Sequence, residues 1–274
     1  MTQFTGYDII ANHEQDLEYL KRTQEPFALG SAGSRKNESV DPRSNLKMEY
    51  QSSMSACTGH AITTCMEALW GFQCGDFSKV KQLSRMYAYL KGQQVFGNFG
   101  RDAGCGIAAI VKAMQNGCCE ESVFPYPSSY STRIPAGADQ NAVNHKILSH
   151  AMAEDFDQAV DAMDGCGVLD FGTIWTNAMH NFRGLVLDLQ HVKEDGSRSG
   201  HSYAGIGFTK HQGEEHIIVA NSHSERWAQG GYALMTKRAF QYLVGRPYSV
   251  IALLFSVSGA ERKKNNVVNF QDWS

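Results

Sequence analysis

The sequence contains no long run of one charge sign, and no apolar stretch approaches the roughly 20 residues that a membrane-spanning helix needs; its longest, such as residues 250–255, are far shorter. Lys plus Arg number 25 against 28 for Asp plus Glu, a formal net charge of −3. Neither nucleic acid nor a membrane is therefore an expected partner. The opening residues Met1 to Asp8 lack a basic start and an apolar core, so they do not read as a secretory signal. There is no CxxC, and Cys57-x-x-His60 stands without a second half-site, so no metal is expected, and no cofactor. The seven cysteines, two of them adjacent at Cys118 and Cys119, form no disulfide-scaffold pattern. A reducing, cytoplasmic setting is the simpler reading. Internal repeats and low-complexity segments are also missing, which sets aside repeat architectures.

What is present is an ordinary globular composition, 42% hydrophobic and 19% charged over 274 residues, enough for one large domain or two lobes. The two halves differ in period. Ala61, Ile62, Cys65, Met66, Ala68 and Leu69 recur at helical spacing and predict a helix over 57–70. Ser84 is placed to cap a helix over 85–90, and Ile107, Ile110, Val111 and Met114 predict another over 106–115. A loop rich in Pro, Ser, Gly and Tyr follows over 124–138, then a further helix is expected within 143–163. From there the chain turns to short β-prone runs at 167–175, 185–191, 202–209, 216–220, 232–235 and 248–257. The fold class is α+β: an N-terminal extension over 1–39, a helical lobe over 40–150 and a β-rich lobe with an antiparallel sheet over 151–274. Chemistry is expected in the crevice between the lobes.

Cys57 falls where the loop 51–56 gives way to the first of these helices, where unsatisfied N–H groups favour a thiolate. A cysteine at a helix start is otherwise a small buried residue. Six residues upstream is Gln51, a neutral amide able to donate a hydrogen bond to an oxyanion, or a plain polar loop residue.

The stretch Gln51-Ser52-Ser53-Met54-Ser55-Ala56-Cys57-Thr58-Gly59-His60-Ala61 resembles the papain family of cysteine peptidases, in the form seen in its bacterial and viral branches. Val40-Asp41-Pro42-Arg43 resembles the lead-in such chains carry. Gly200-His201-Ser202-Tyr203-Ala204-Gly205-Ile206-Gly207-Phe208 is similar to the family's histidine strand, and Asn221, twenty residues on, is followed by Trp227, Gly231 and Tyr232 at the family's spacing. The resemblance implies a two-lobe fold with a barrel-like β lobe and a site in the cleft: Cys57 as nucleophile, His201 as proton-transfer partner, Asn221 as orienter of the ring and Gln51 as oxyanion donor. It also implies a peptide or protein substrate, paired to the main chain along Gly100-Arg101-Asp102-Ala103-Gly104-Cys105-Gly106, with Gly104 and Gly106 as substrate-binding candidates.

Three positions depart from the pattern. Thr58 stands where an aromatic residue normally follows the nucleophile, Met54 where secreted members often carry a disulfide cysteine, and His223 where a tryptophan usually shelters the asparagine. Loss of that tryptophan is expected to leave the His201–Asn221 bond wetter and weaker, unless His223 stacks in its place. His211 and His216 are expected at the surface. Two other classes remain: a Cys-dependent amidase or acyltransferase, and an inactive scaffold such as a virion component. The N-terminal extension is read as a pro-segment, a packed extension or a link to an assembly partner.

Overall fold

The computed structural model describes residues 13–24, 35–196, 199–247 and 249–258. Nine α-helices lie among them: α1 (His13–Thr23), α2 (Cys57–Cys74), α3 (Arg85–Phe96), α4 (Ile107–Asn116), α5 (Ala138–Ala142), α6 (Phe156–Asp164), α7 (Asn177–His180), α8 (Leu189–Val192) and α9 (Lys237–Val244). The strands are β1 (Ile147–Met152), β2 (Val168–Ile174), β3 (Val186–Leu187), β4 (Gly200–His211), β5 (Glu214–Ala220), β6 (Tyr232–Thr236) and β7 (Val250–Val257).

Helix α2 is buried on nearly every side, as a helix at the centre of a domain must be. It stops at Gly75, whose left-handed φ of 59° suits a residue without Cβ. Gly59 lets α3 approach, since a Cβ there would stand 2.4 Å from the Arg85 carbonyl oxygen. Ser84 caps α3 by accepting from the Tyr87 N–H at 3.1 Å, and that helix runs on past the expected Leu90 to Phe96. Between α2 and α3 lies a buried ion pair: Arg85 Nη1 is 2.9 Å from Glu67 Oε1, and Glu67 Oε1 also accepts from the Leu83 N–H at 2.7 Å.

The strands form one sheet in the order β1-β7-β2-β4-β5-β6-β3. Pairing is antiparallel except between β3 and β6, which run parallel. The sheet is open, with β1 and β3 at its edges, so the barrel-like closure expected of the β lobe does not occur. Strand β3, only two residues long, offers too little backbone to continue the ladder. One sheet face, carrying Val168, Ala204, Ile206, Ile218 and Leu254, joins the core around α2, α3 and α4. The opposite face, with Leu169, Phe171, Phe208, Val219 and Leu253, packs on Phe156 and Val160 of α6 and Phe240 and Leu243 of α9.

Two sequence expectations fail here, the strand over 185–191 and the surface position of His216, and a third is met only in part. The helix expected within 143–163 is α6, confined to the end of that window, with β1 ahead of it. His145 closes a turn on Ala142, β1 pairs along β7, and Asp155 starts α6 by accepting from the N–H groups of Asp157 and Gln158; a short apolar run reads alike as buried strand or helix. The strand expected over 185–191 is cut to β3, because the His191 ring accepts the Asp188 N–H at 3.0 Å and turns the chain into α8. His216, expected at the surface, is buried, its Nδ1 2.9 Å from the Glu214 carbonyl.

The described part of the N-terminal extension is built into the body. Leu20 is fully buried, and Tyr19 donates to Gln115 of α4 at 2.8 Å. Further on, Arg35 bonds Asp161 at 2.5 Å and also meets Glu215, and Val40 pairs with Phe208 of β4.

Candidate active site

Cys57 opens α2 against the start of β4 and keeps partial exposure. Its sulfur receives the backbone N–H groups of Ser202 and Thr58 and its own. Those contacts lower the thiol pKa, yet crowding by protein outweighs them and pushes it up to about 11. His201, adjacent to Ser202, is buried, and desolvation lowers its imidazole to about 4, although its bond to Asn221 works the other way. The helix start was expected to supply a thiolate at rest. Burial opposes this, pushing each group toward its neutral form, while the N–H groups at the helix start favour the thiolate.

The His201 Nε2 to Asn221 Oδ1 distance is 2.7 Å. With the amide oxygen facing the ring, Nε2 is the protonated nitrogen, which leaves Nδ1 as the basic atom. This bond is dry: Asn221 is fully buried and His201 is 8% exposed, against the wetter bond expected from the sequence. The His223 ring packs edge-on against His180 at 4.3 Å, while Trp175 is the indole beside His201. Burial, then the charges of His180 and Arg183, lower the His223 imidazole to about 4.

Gln51 is buried and tied from several sides. Its backbone N–H donates to the Ser222 carbonyl at 2.9 Å, and Tyr126 donates to its carbonyl at 2.9 Å. In the side chain, Ser222 Oγ donates to Oε1 at 2.8 Å, and the Met54 carbonyl, which can only accept, fixes which end of the amide is nitrogen. Nε2 gives one hydrogen to the Met54 carbonyl at 2.9 Å and has a second to offer. Asn221 and Ser222 thus orient His201 and Gln51 respectively.

Asp102 links this loop to the glycine segment. Its Oδ1 accepts from the Ser55 N–H at 2.9 Å and from the Tyr89 hydroxyl at 2.9 Å. Gly104, at φ +73°, donates its N–H to Tyr89 Oη at 2.9 Å, and its carbonyl accepts from Asn98 Nδ2 at 2.8 Å. Both its main-chain groups are committed inside the protein. Gly106 caps α4, its carbonyl accepting from the Ile110 N–H at 3.0 Å. Of the four residues expected from the sequence, the structure pairs His201 with Asn221, ties Gln51 to Ser222 and sets Cys57 against Ser202, the neighbour of His201; Ser222, Asp102, Tyr89 and Trp175 were not among the expected site residues. Ser222 and Asp102 lie within the motif stretches already singled out; Tyr89 and Trp175 carry no signal of their own.

A mixed α+β body with a cysteine beside an amide-held histidine defines a thiol hydrolase of the papain class. The family model of papain family cysteine proteases matches residues 36–246, and the chain belongs to that family. Cathepsin 7 of Mus musculus is 22% identical over 228 residues, which is 79% of this chain and 67% of that protein. Among solved structures, xylellain, a cysteine protease from Xylella fastidiosa, superposes with a TM-score of 0.68 at 18% identity, covering 86% of this chain and 92% of that one. The bromelain protease from Ananas comosus in complex with the E64 inhibitor gives 0.59 at 16% identity, with 79% and 97% covered.

Proposed function

We propose that this cysteine protease cleaves peptide bonds through Cys57, His201 and Asn221, with Gln51 as oxyanion donor. The observation that carries the reading is the dry 2.7 Å bond from His201 Nε2 to Asn221 Oδ1 beside a sulfur held by the Ser202 N–H. As substrate arrives, the Cys57 proton passes to His201 Nδ1 and the sulfur attacks the carbonyl carbon. Passing the proton from the sulfur to the ring leaves the net charge of the pair unchanged. The oxyanion takes the second hydrogen of Gln51 Nε2 and the Cys57 N–H. His201 then protonates the leaving amine, and the thioester is hydrolysed by water that gives its proton back to the same ring.

Gly104 and Gly106 are the substrate-side candidates of the cleft segment, with both main-chain groups of Gly104 and the carbonyl of Gly106 also bonded inside the protein. Seven unbridged thiols support a reducing, cytoplasmic setting. The packing of Leu20 and Arg35 supports reading the described extension as part of the folded body rather than a pro-segment. The test is mass-spectrometric analysis of a denatured-protein digest incubated with wild type and Cys57→Ala. New internal peptide ends from wild type alone are expected; equal cleavage by Cys57→Ala would contradict the assignment.

A further inference from the structure

We propose that Trp175, at the end of β2, is a positioning residue for His201 that takes over the sheltering task left open where His223 stands. The inference rests on the reading of His201 as the proton-transfer group. The Trp175 ring centroid lies 4.4 Å from that of His201, at 47°, nearer than the Tyr203 ring at 6.3 Å. The indole is 6% exposed and is held from behind. Trp227 backs it at 6.0 Å, and Trp227 is itself fixed by donating Nε1–H to the Met179 carbonyl at 2.7 Å.

The backbone fixes the placement. Thr173 pairs with His201 and Ile174 with Gly200 across the β2–β4 ladder. One step on, the Trp175 N–H donates to the Ser199 carbonyl at 2.9 Å, and Ser199 Oγ donates to the Trp175 carbonyl at 3.0 Å. The indole therefore keeps station two residues from the histidine in the paired strand. Its work is physical: an apolar ring excludes water from the Nε2–Oδ1 bond, and this exclusion outweighs the attraction of its face for an imidazolium, since burial lowers the ring on balance.

The titratable groups near His201 are His60 of α2, His180 of α7, Tyr203 of β4 and His223 after β5, and its neighbour Ser202 meets Cys57 of α2 and Asp170 of β2. None of them changes in a Trp175 variant, so a shift in the pH profile reports the indole. The experiment compares wild type, Trp175→Phe, Trp175→Ala and His201→Ala. It measures the pH dependence of Cys57 alkylation by iodoacetamide, kcat and KM on a peptide substrate, and the pH dependence of tryptophan emission.

In Trp175→Ala, kcat is expected to fall about tenfold with KM within about twofold. The acid limb of alkylation should move up by about one pH unit as water reaches the ring. Trp175→Phe should restore most of both. The emission difference between wild type and Trp175→Phe, which cancels the signal of Trp70 beside His145, should titrate with His201 and should be flat when both proteins also carry His201→Ala. A folded Trp175→Ala with unchanged kcat and acid limb overturns the proposal, provided that His201→Ala abolishes the alkylation profile. If Trp175→Ala does not fold, a wild-type minus Trp175→Phe emission difference that still titrates when both proteins also carry His201→Ala overturns it instead. An alkylation profile unchanged by His201→Ala would defeat the underlying reading of His201 as well.

Discussion

Replacing Asp170 with asparagine should stabilise the protein increasingly as pH rises. Asp170 lies on β2, on the face turned to α2, with no solvent exposure. Its Oδ1 accepts from Ser202 Oγ at 3.1 Å, while Oδ2 is buried without a hydrogen-bond partner. Desolvation, opposed only by the Ser202 bond, raises its carboxyl from 3.8 to about 8. The unfolded chain releases this proton near pH 4 and the native protein holds it to about pH 8, so between those values the unfolded state binds fewer protons. Native stability therefore falls by about 1.4 kcal/mol per pH unit from this residue alone.

Asp170→Asn removes the titration. Burying an amide with unpaired hydrogens costs about 1–3 kcal/mol, but that cost does not change with pH. Urea unfolding of both proteins at pH 5 and pH 7 isolates the effect. The unfolding free energy of the variant minus that of wild type should rise by roughly 3 kcal/mol between the two pH values, or roughly 6–12 °C in Tm for a domain of this size. A difference that stays constant, or that shrinks toward pH 7, would refute the claim that this carboxyl is held protonated by burial.

Two other perturbations follow from the site and the core. Gln51→Ala should lower kcat about a hundredfold with little change in KM, because its amide acts on the oxyanion, and Ser222→Ala should cost less, since Ser222 only orients that amide; wild-type kcat in Gln51→Ala would contradict the oxyanion assignment. Glu67→Leu should destabilise by about 3–5 kcal/mol in chemical denaturation by leaving the Arg85 charge buried alone, whereas the double variant Glu67→Leu/Arg85→Leu should lose much less. A double variant as unstable as the sum of its singles would show that the pair is not coupled.

How much of this was legible in the sequence depended on how local each cause is. Helices α2 and α4 declared themselves through apolar spacing over their lengths, and Ser84 marked the start of α3 because capping needs only adjacent residues. Strand β1 did not, because its identity comes from pairing with β7 about a hundred residues away. Helix α9 was overlooked although Thr236 caps it and Ala239, Phe240 and Leu243 line its buried side, a local signal hidden by its shortness and the preceding strand.

At the site, Cys57, Gln51, His201 and Asn221 were readable because each sits inside a stretch of fixed spacing. The charge state was not, since desolvation depends on the whole surrounding protein. The missing tryptophan at position 223 leads the sequence to expect a wetter bond or a His223 stacked in its place; the bond is buried, and His223 packs on His180. The compensating indole arrives on another strand, through a register that spacing along the chain does not reveal.

The central claim is that Cys57 reacts as a nucleophile because His201 takes its proton. Its most direct test is labelling with a peptidyl electrophile, located by peptide mapping, in wild type and in His201→Ala. Labelling of Cys57 alone among the seven cysteines, with a rate that collapses in His201→Ala, is the predicted result. Labelling at another cysteine, or at Cys57 with the same rate in both proteins, would contradict it.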